Sequence, residues 1–271
     1  MLTAILLFQA CSSPLVYTST LQDKPVVIDG KATEWKIPLD YYDDKTKLNF
    51  SVSNDDKNIY FCVRATEDET QKGIIYTGLQ IWIDTTGGKK NQVGLQFPIM
   101  QRREKDQGSA SKQTGASESG TSLAHSLKSK YSGSPKQMKL AGFTGVPGGL
   151  AEMPNIYGIK ASINWDTNNI MIYEACIPLS TFYRATLTSA DSLRTFGLSF
   201  VVTVSQKNGG SEGGGHGGGH GGGMGGGMGG GGMHGGGGGG EGGGKHGGGG
   251  GESSAEALTA HIKIRLAVPQ H

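Results

Sequence analysis

Leu48, Phe50 and Val52 alternate with Asn49, Ser51 and Ser53. A two-residue period of this kind suits one regular structure, a strand with one face buried. The pattern returns in Ile59–Arg64 after the turn formers Asn54–Asn58, so the two runs form a hairpin. Leu79–Asp84 and Val93–Phe97 pair across Thr85–Asn91, and Ile159–Trp165 and Ile170–Ile177 pair across Asp166–Asn169. Phe196–Val204 and Ala260–Leu266 follow, and no segment carries a long 3.6-residue period. Many short strands separated by turns predict an all-β chain, a two-sheet antiparallel β-sandwich of jelly-roll type.

Two biased stretches interrupt the strands. Residues 101–155 are rich in Ser, Gly, Lys and Gln, and Gln107–Thr121 has almost nothing to bury, which predicts disorder. The second insertion, 209–256, contains the tract Gly209–Gly251, in which 32 of 43 residues are glycine. Without both, about 140 residues remain, a normal size for one sandwich spanning 24–268. His216, His220, Met224 and Met228 stand at four-residue steps in the tract, and both residue types suit Cu or Ni. A helix would align them, but glycine costs about 1 kcal/mol per residue there relative to Ala. Lengthening a hairpin loop from about 4 to about 43 residues costs only roughly 2 kcal/mol. Weak Cu or Ni handling and a plain spacer are thus the two readings; the spacer is favoured, and no metal site is assigned.

At the N-terminus, Leu2–Phe8 is too short to span a bilayer but suits the core of an export signal, and it leads to Ala10-Cys11-Ser12-Ser13. This is similar to a bacterial lipobox. It predicts lipidation of Cys11, a signal and polar tether over residues 1–23, and a lipid anchor in the bacterial cell envelope, at the outer membrane. A net charge of +2 without a basic stripe argues against nucleic acid. Export permits a disulfide between Cys62 and Cys176, but both sit in apolar runs where cysteine serves as a small buried hydrophobe.

Five segments in order resemble carbohydrate-binding module family 9-like domains, related to the DOMON group: Val27-Ile-Asp-Gly-Lys-Ala-Thr-Glu-Trp35, Asp56–Arg64, Leu79-Gln-Ile-Trp-Ile-Asp84, Tyr173-Glu-Ala-Cys-Ile-Pro-Leu179, and Phe196–Val204. The chain departs from the family pattern just before the central strand, where Thr77-Gly78 replaces an acidic residue. The resemblance implies a two-sheet sandwich and a glycan as partner; relatives of the fold also bind haem, and others have no assigned ligand.

Sugar recognition needs flat aromatic faces beside polar groups. Trp82 lies on the strand face opposite Leu79, Ile81 and Ile83, together with Gln80 and Asp84. It is either an aromatic platform or is covered by a second layer. Tyr60 and Arg64 line the polar side of their own strand; these five residues are the candidate ligand-binding set. Trp35 is expected to pack the sandwich edge, Trp165 to be core, and Glu174 to serve as a structural hydrogen-bonding group. No His/Asp/Ser or Cys/His set lies among the strands, so the expected function is non-catalytic and cofactor-free: a glycan-binding envelope lipoprotein, or a structural envelope protein without a small ligand.

Overall fold

The computed structural model describes residues 15–100, 120–132, 136–205 and 254–268. Cys11, residues 101–119 and the glycine tract with its His and Met residues lie outside them.

The chain opens with β1 (Val16–Thr18), β2 (Thr20–Leu21) and β3 (Tyr41–Asp43). The hairpin β4 (Leu48–Asn54) and β5 (Asn58–Ala65) follows, then α1 (Asp68–Thr77), β6 (Leu79–Asp84) and β7 (Val93–Phe97). Next come α2 (Gly120–Ser132), β8 (Gln137–Ala141) and β9 (Gly149–Glu152). β10 (Lys160–Trp165), β11 (Met171–Pro178), β12 (Thr195–Ser205) and β13 (Ala255–Arg265) complete the fold. One sheet runs β1-β13-β12-β6-β7-β8-β9; the other runs β10-β11-β5-β4-β2, with β3 also on β4. All pairings are antiparallel except β1 with β13 and β2 with β4. The architecture is the predicted all-β, two-sheet sandwich.

The alternating residues do what their period requires. Leu79, Ile81 and Ile83 of one sheet and Phe50, Phe61 and Val63 of the other are at most 1% exposed. The sheets meet through aromatic rings, with Phe50 and Phe200 centroids 4.4 Å apart and Phe97 and Tyr173 6.0 Å apart. Phe and Tyr bury large apolar areas, so these pairs account for much of the cohesion between sheets.

Three sequence expectations are corrected. Residues 16–21, read as tether, are woven into both sheets: β1 pairs with β13, β2 with β4, and between them the Ser19 hydroxyl bonds Asn54. Most of the second half of 101–155 is part of the fold. There β8 and β9 extend the first sheet, and Leu123, Leu127 and Tyr131 of α2, four residues apart, are buried in the core. Three apolar residues at that spacing suffice for one buried helix stripe, but they are few among the surrounding Ser and Lys. Likewise α1, absent from the strand reading, carries Ile74 and Ile75 into the core. Gly73 allows α1 to ride against β12, since a β-carbon there would fall 2.3 Å from the Thr203 carbonyl oxygen.

Cys62 and Cys176 are buried free thiols. Cys62 stands opposite Glu174, and Cys176 opposite Tyr60, so the two cysteines are diagonal neighbours on adjoining strands rather than direct partners. Among the described residues no helix is long and apolar enough to cross a membrane. β12 and β13 pair in unbroken register from Thr195 with Arg265 to Ser205 with Ala255, so strand pairing begins at Ala255, inside the insertion read as 209–256.

Candidate functional site

The motif residues prove to be fastenings. Residues 26–39 lie across the outer face of the second sheet, where Val26, Trp35 and Leu39 form a separate apolar cluster with Tyr60, Cys62, Ile172 and Cys176. Glu174, fully buried, ties this cover down: it accepts from Trp35 Nε1 (2.8 Å), Gly30 N (2.8 Å) and Asp29 N (3.1 Å). Its expected structural role holds. Gly30 is required twice, by φ of +79° and by a β-carbon that would fall 2.7 Å from Asn164. Burial pushes the Glu174 carboxyl up to about 7, against the lowering effect of its three donors.

Two of the five candidates are likewise built into the frame. Tyr60 is 1% exposed and donates from its hydroxyl to Asp55 (2.6 Å), which also accepts from Lys57 N and Asn58 N in the hairpin turn. Asp84 is 1% exposed and accepts from Thr86 N, Thr86 Oγ1 and Lys90 N, holding the β6–β7 turn. Both are corrections: alternation placed them on outward faces, but a cover segment and a turn close over them.

The remaining three divide between opposite outer faces. Gln80 and Trp82 lie on the first sheet. Cross-strand register puts Gly94, Trp82, Ser199 and His261 in one row, with Gln96, Gln80, Val201 and Thr259 in the next. Trp82 is partly exposed, and its indole lies over the backbone of Gly94: a β-carbon there would fall 2.4 Å from Cε3 and 2.7 Å from Cδ2. Trp82 Nε1 donates to Gln80 Oε1 (3.0 Å), which fixes the plane of the ring. It lies on the outer face of the sheet, opposite the buried Leu79, Ile81 and Ile83. At the end of the row Ser199 Oγ and His261 Nδ1 are 2.7 Å apart. Partial burial and nearby Lys89 hold the His261 imidazole below its ordinary value, so it is neutral at pH 7. Ser199 is 3% exposed, so the pair orients the ring rather than presenting a nucleophile.

Arg64 lies on the other sheet, in a cleft of about 400 Å³ between the cover segment and the β10–β11 turn. Its neighbours there include Lys31, Ile37, Asn164, Trp165, Asp166 and Ile172. Trp165, expected as core, packs against the main core beside Tyr131 while remaining partly buried: its Nε1 donates to Gln71 Oε1 (2.9 Å), and the residue borders this cleft at the strand end. Asn164 and Asp166 were missed as site residues; the β10–β11 hairpin sets Asn164 beside Ile172, but Arg64 joins the row only through the pairing of β11 with β5. The Arg64 cleft is lined by no His, Met, Cys or Tyr that could hold a haem iron, and the cleft beside His261 is lined by that imidazole and three tyrosines. Among the described residues no group of three or more His, Cys, Asp or Glu is placed to hold a metal ion.

No protein-family model matches the chain, and comparison with curated proteins finds no match. Two solved structures are similar to it. One is a carbohydrate-binding module family 9 from Caldicellulosiruptor kristjanssonii in complex with glucose, at 9% identity and TM-score 0.38, covering 94% of this chain and 96% of that one. The other is a carbohydrate-binding module family 9 from the same organism in complex with cellotriose, at 10% identity and TM-score 0.37, covering 94% of each chain. Both belong to the family that the five sequence motifs resemble.

Proposed function

We propose that this chain is a non-catalytic glycan-binding protein of the bacterial cell envelope, anchored through a lipid on Cys11 and presenting the outer face of its seven-stranded sheet to sugar. The observation that carries the binding reading is Trp82. Its indole is laid on Gly94, pinned by Gln80, and bordered by side chains that donate and accept hydrogen bonds. A pyranose ring offers a flat apolar face and a rim of hydroxyls, which is the complement of that surface. The neutral imidazole of His261 and the amides of Gln80 and Gln96 suit uncharged hydroxyls better than ionic groups. The anchoring reading rests on the apolar run and Cys11 of the sequence.

Affinity electrophoresis of soluble Cys11→Ser protein through a panel of polysaccharides tests the binding. Retardation by at least one polysaccharide is expected, with Trp82→Ala weakening it about tenfold, or about 1.4 kcal/mol. Gly94→Ala, which keeps the indole but lifts it off the sheet, should weaken it as well. Retardation that survives both substitutions, or none on any polysaccharide, contradicts the reading. For the anchor, the mass of membrane-extracted protein should show a lipid on Cys11; Met1 retained with an unmodified Cys11 contradicts it.

A further inference from the structure

We propose that the cleft on the outer face of the six-stranded sheet is a second, independent site, built for a small organic carboxylate. Its volume of about 400 Å³ lies within the range of small-molecule sites. Arg64 supplies the anion-binding group. The side chain is 21% exposed, and among the described residues its guanidinium has one partner, Asp166 Oδ2 at 3.5 Å. Asp166 is itself fixed in the turn, its Oδ1 accepting from Asn168 N (2.8 Å) and Ile170 N (2.9 Å). One long contact leaves most of the five guanidinium donors unused in a partly desolvated place, the arrangement that a bidentate carboxylate satisfies. Lys31 stands on the rim, ion-paired to Asp29 at 3.1 Å.

The rest of the cleft fits the body of such a ligand. Ile37 and Ile172 supply apolar surface, and Trp165, held by its bond to Gln71, borders the cleft at the end of β10. The cleft is preformed, because the Glu174 bonds to Gly30 and Trp35 clamp the cover segment to the sheet. A carboxylate would therefore set its charge on Arg64 and its body against Ile37 and Ile172, with the Asn164 amide beside them. Two sources offer this chemistry, a uronic acid sugar and an aromatic acid.

The test uses the full chain and two-dimensional NMR of the indole N–H groups, of which three tryptophans give three signals. Signals are assigned with Trp→Phe variants, and the protein is titrated with glucuronate, benzoate and glucose. At least one acid should move the Trp165 signal saturably, whereas glucose leaves it in place. Which acid moves it distinguishes the two sources. Arg64→Gln should lower the affinity at least tenfold. Asn164→Asp, an isosteric change that keeps the acceptor for Trp165 N and adds a negative charge, should do so with the melting temperature retained. No response to either acid, an equal response to glucose, or affinity unchanged in Asn164→Asp overturns the proposal. Since glycan on the platform is read at Trp82, failure of one site leaves the other standing.

Discussion

A single buried carboxylate sets an unusual pH response. Glu174 in the folded chain titrates at about 7, above the ordinary 4.5, because burial penalises its charge more than three donors reward it. The folded state therefore holds a proton that the unfolded state has released between those values, and stability falls as pH rises from about 4.5 to about 7. Asp55 and Asp84 act in the opposite direction. Burial works to raise their carboxyls, but hydrogen bonds, led by Tyr60 to Asp55 and Thr86 to Asp84, outweigh it and hold both below 3.8. Their contribution is present above that value and is lost as pH falls through their folded values. Urea denaturation at pH 5 and pH 7.5 should find the protein less stable at the higher pH. In Glu174→Gln that loss should shrink, while overall stability at pH 5 falls by about 1–3 kcal/mol through one mismatched donor. The structural role of Glu174 was legible from its place between Ile172 and Cys176 on a strand. Its partners were not, since Asp29, Gly30 and Trp35 lie about 140 residues away in the chain.

At the level of elements, the sequence was read well where one face is buried and the other polar. β4, β5, β6, β7 and β10 to β12 stand within about two residues of their expected bounds. It was read poorly where an element is short or its signal is diluted. β1, β2 and β3 are two or three residues long, too short to show a period. α2 buries its stripe within a Ser-rich and Lys-rich stretch, and packing makes it part of the fold: Leu123 and Leu127 enter the core, and Tyr131 sits 6.3 Å from Phe97 and 6.1 Å from Trp165. Tertiary contact, rather than propensity, holds such a helix. Leu127→Ala, at a position 1% exposed, should cost about 2–4 kcal/mol in urea denaturation. A loss under about 0.5 kcal/mol, the usual effect of a surface change, would mean that α2 does not dock. Of the candidate site, the Trp82 face could be read because alternation alone sets it apart. The Arg64 cleft could not, because its walls come from the cover segment and three strands, β5, β10 and β11, and nothing local reveals that they converge.

For the molecule as a whole, β13 is held on both flanks, by β12 along eleven residue pairs and by β1 along three. The chain leaves at Ser205 and returns at Ala255, two residues that face each other across the ladder. A protease that cuts once anywhere between them would thus make two polypeptides without dismantling the body. The nicked protein should elute from gel filtration as one species and separate into two bands only under denaturing electrophoresis. The final strand would behave as a non-covalently retained subunit, and two separately produced pieces should reassemble when mixed.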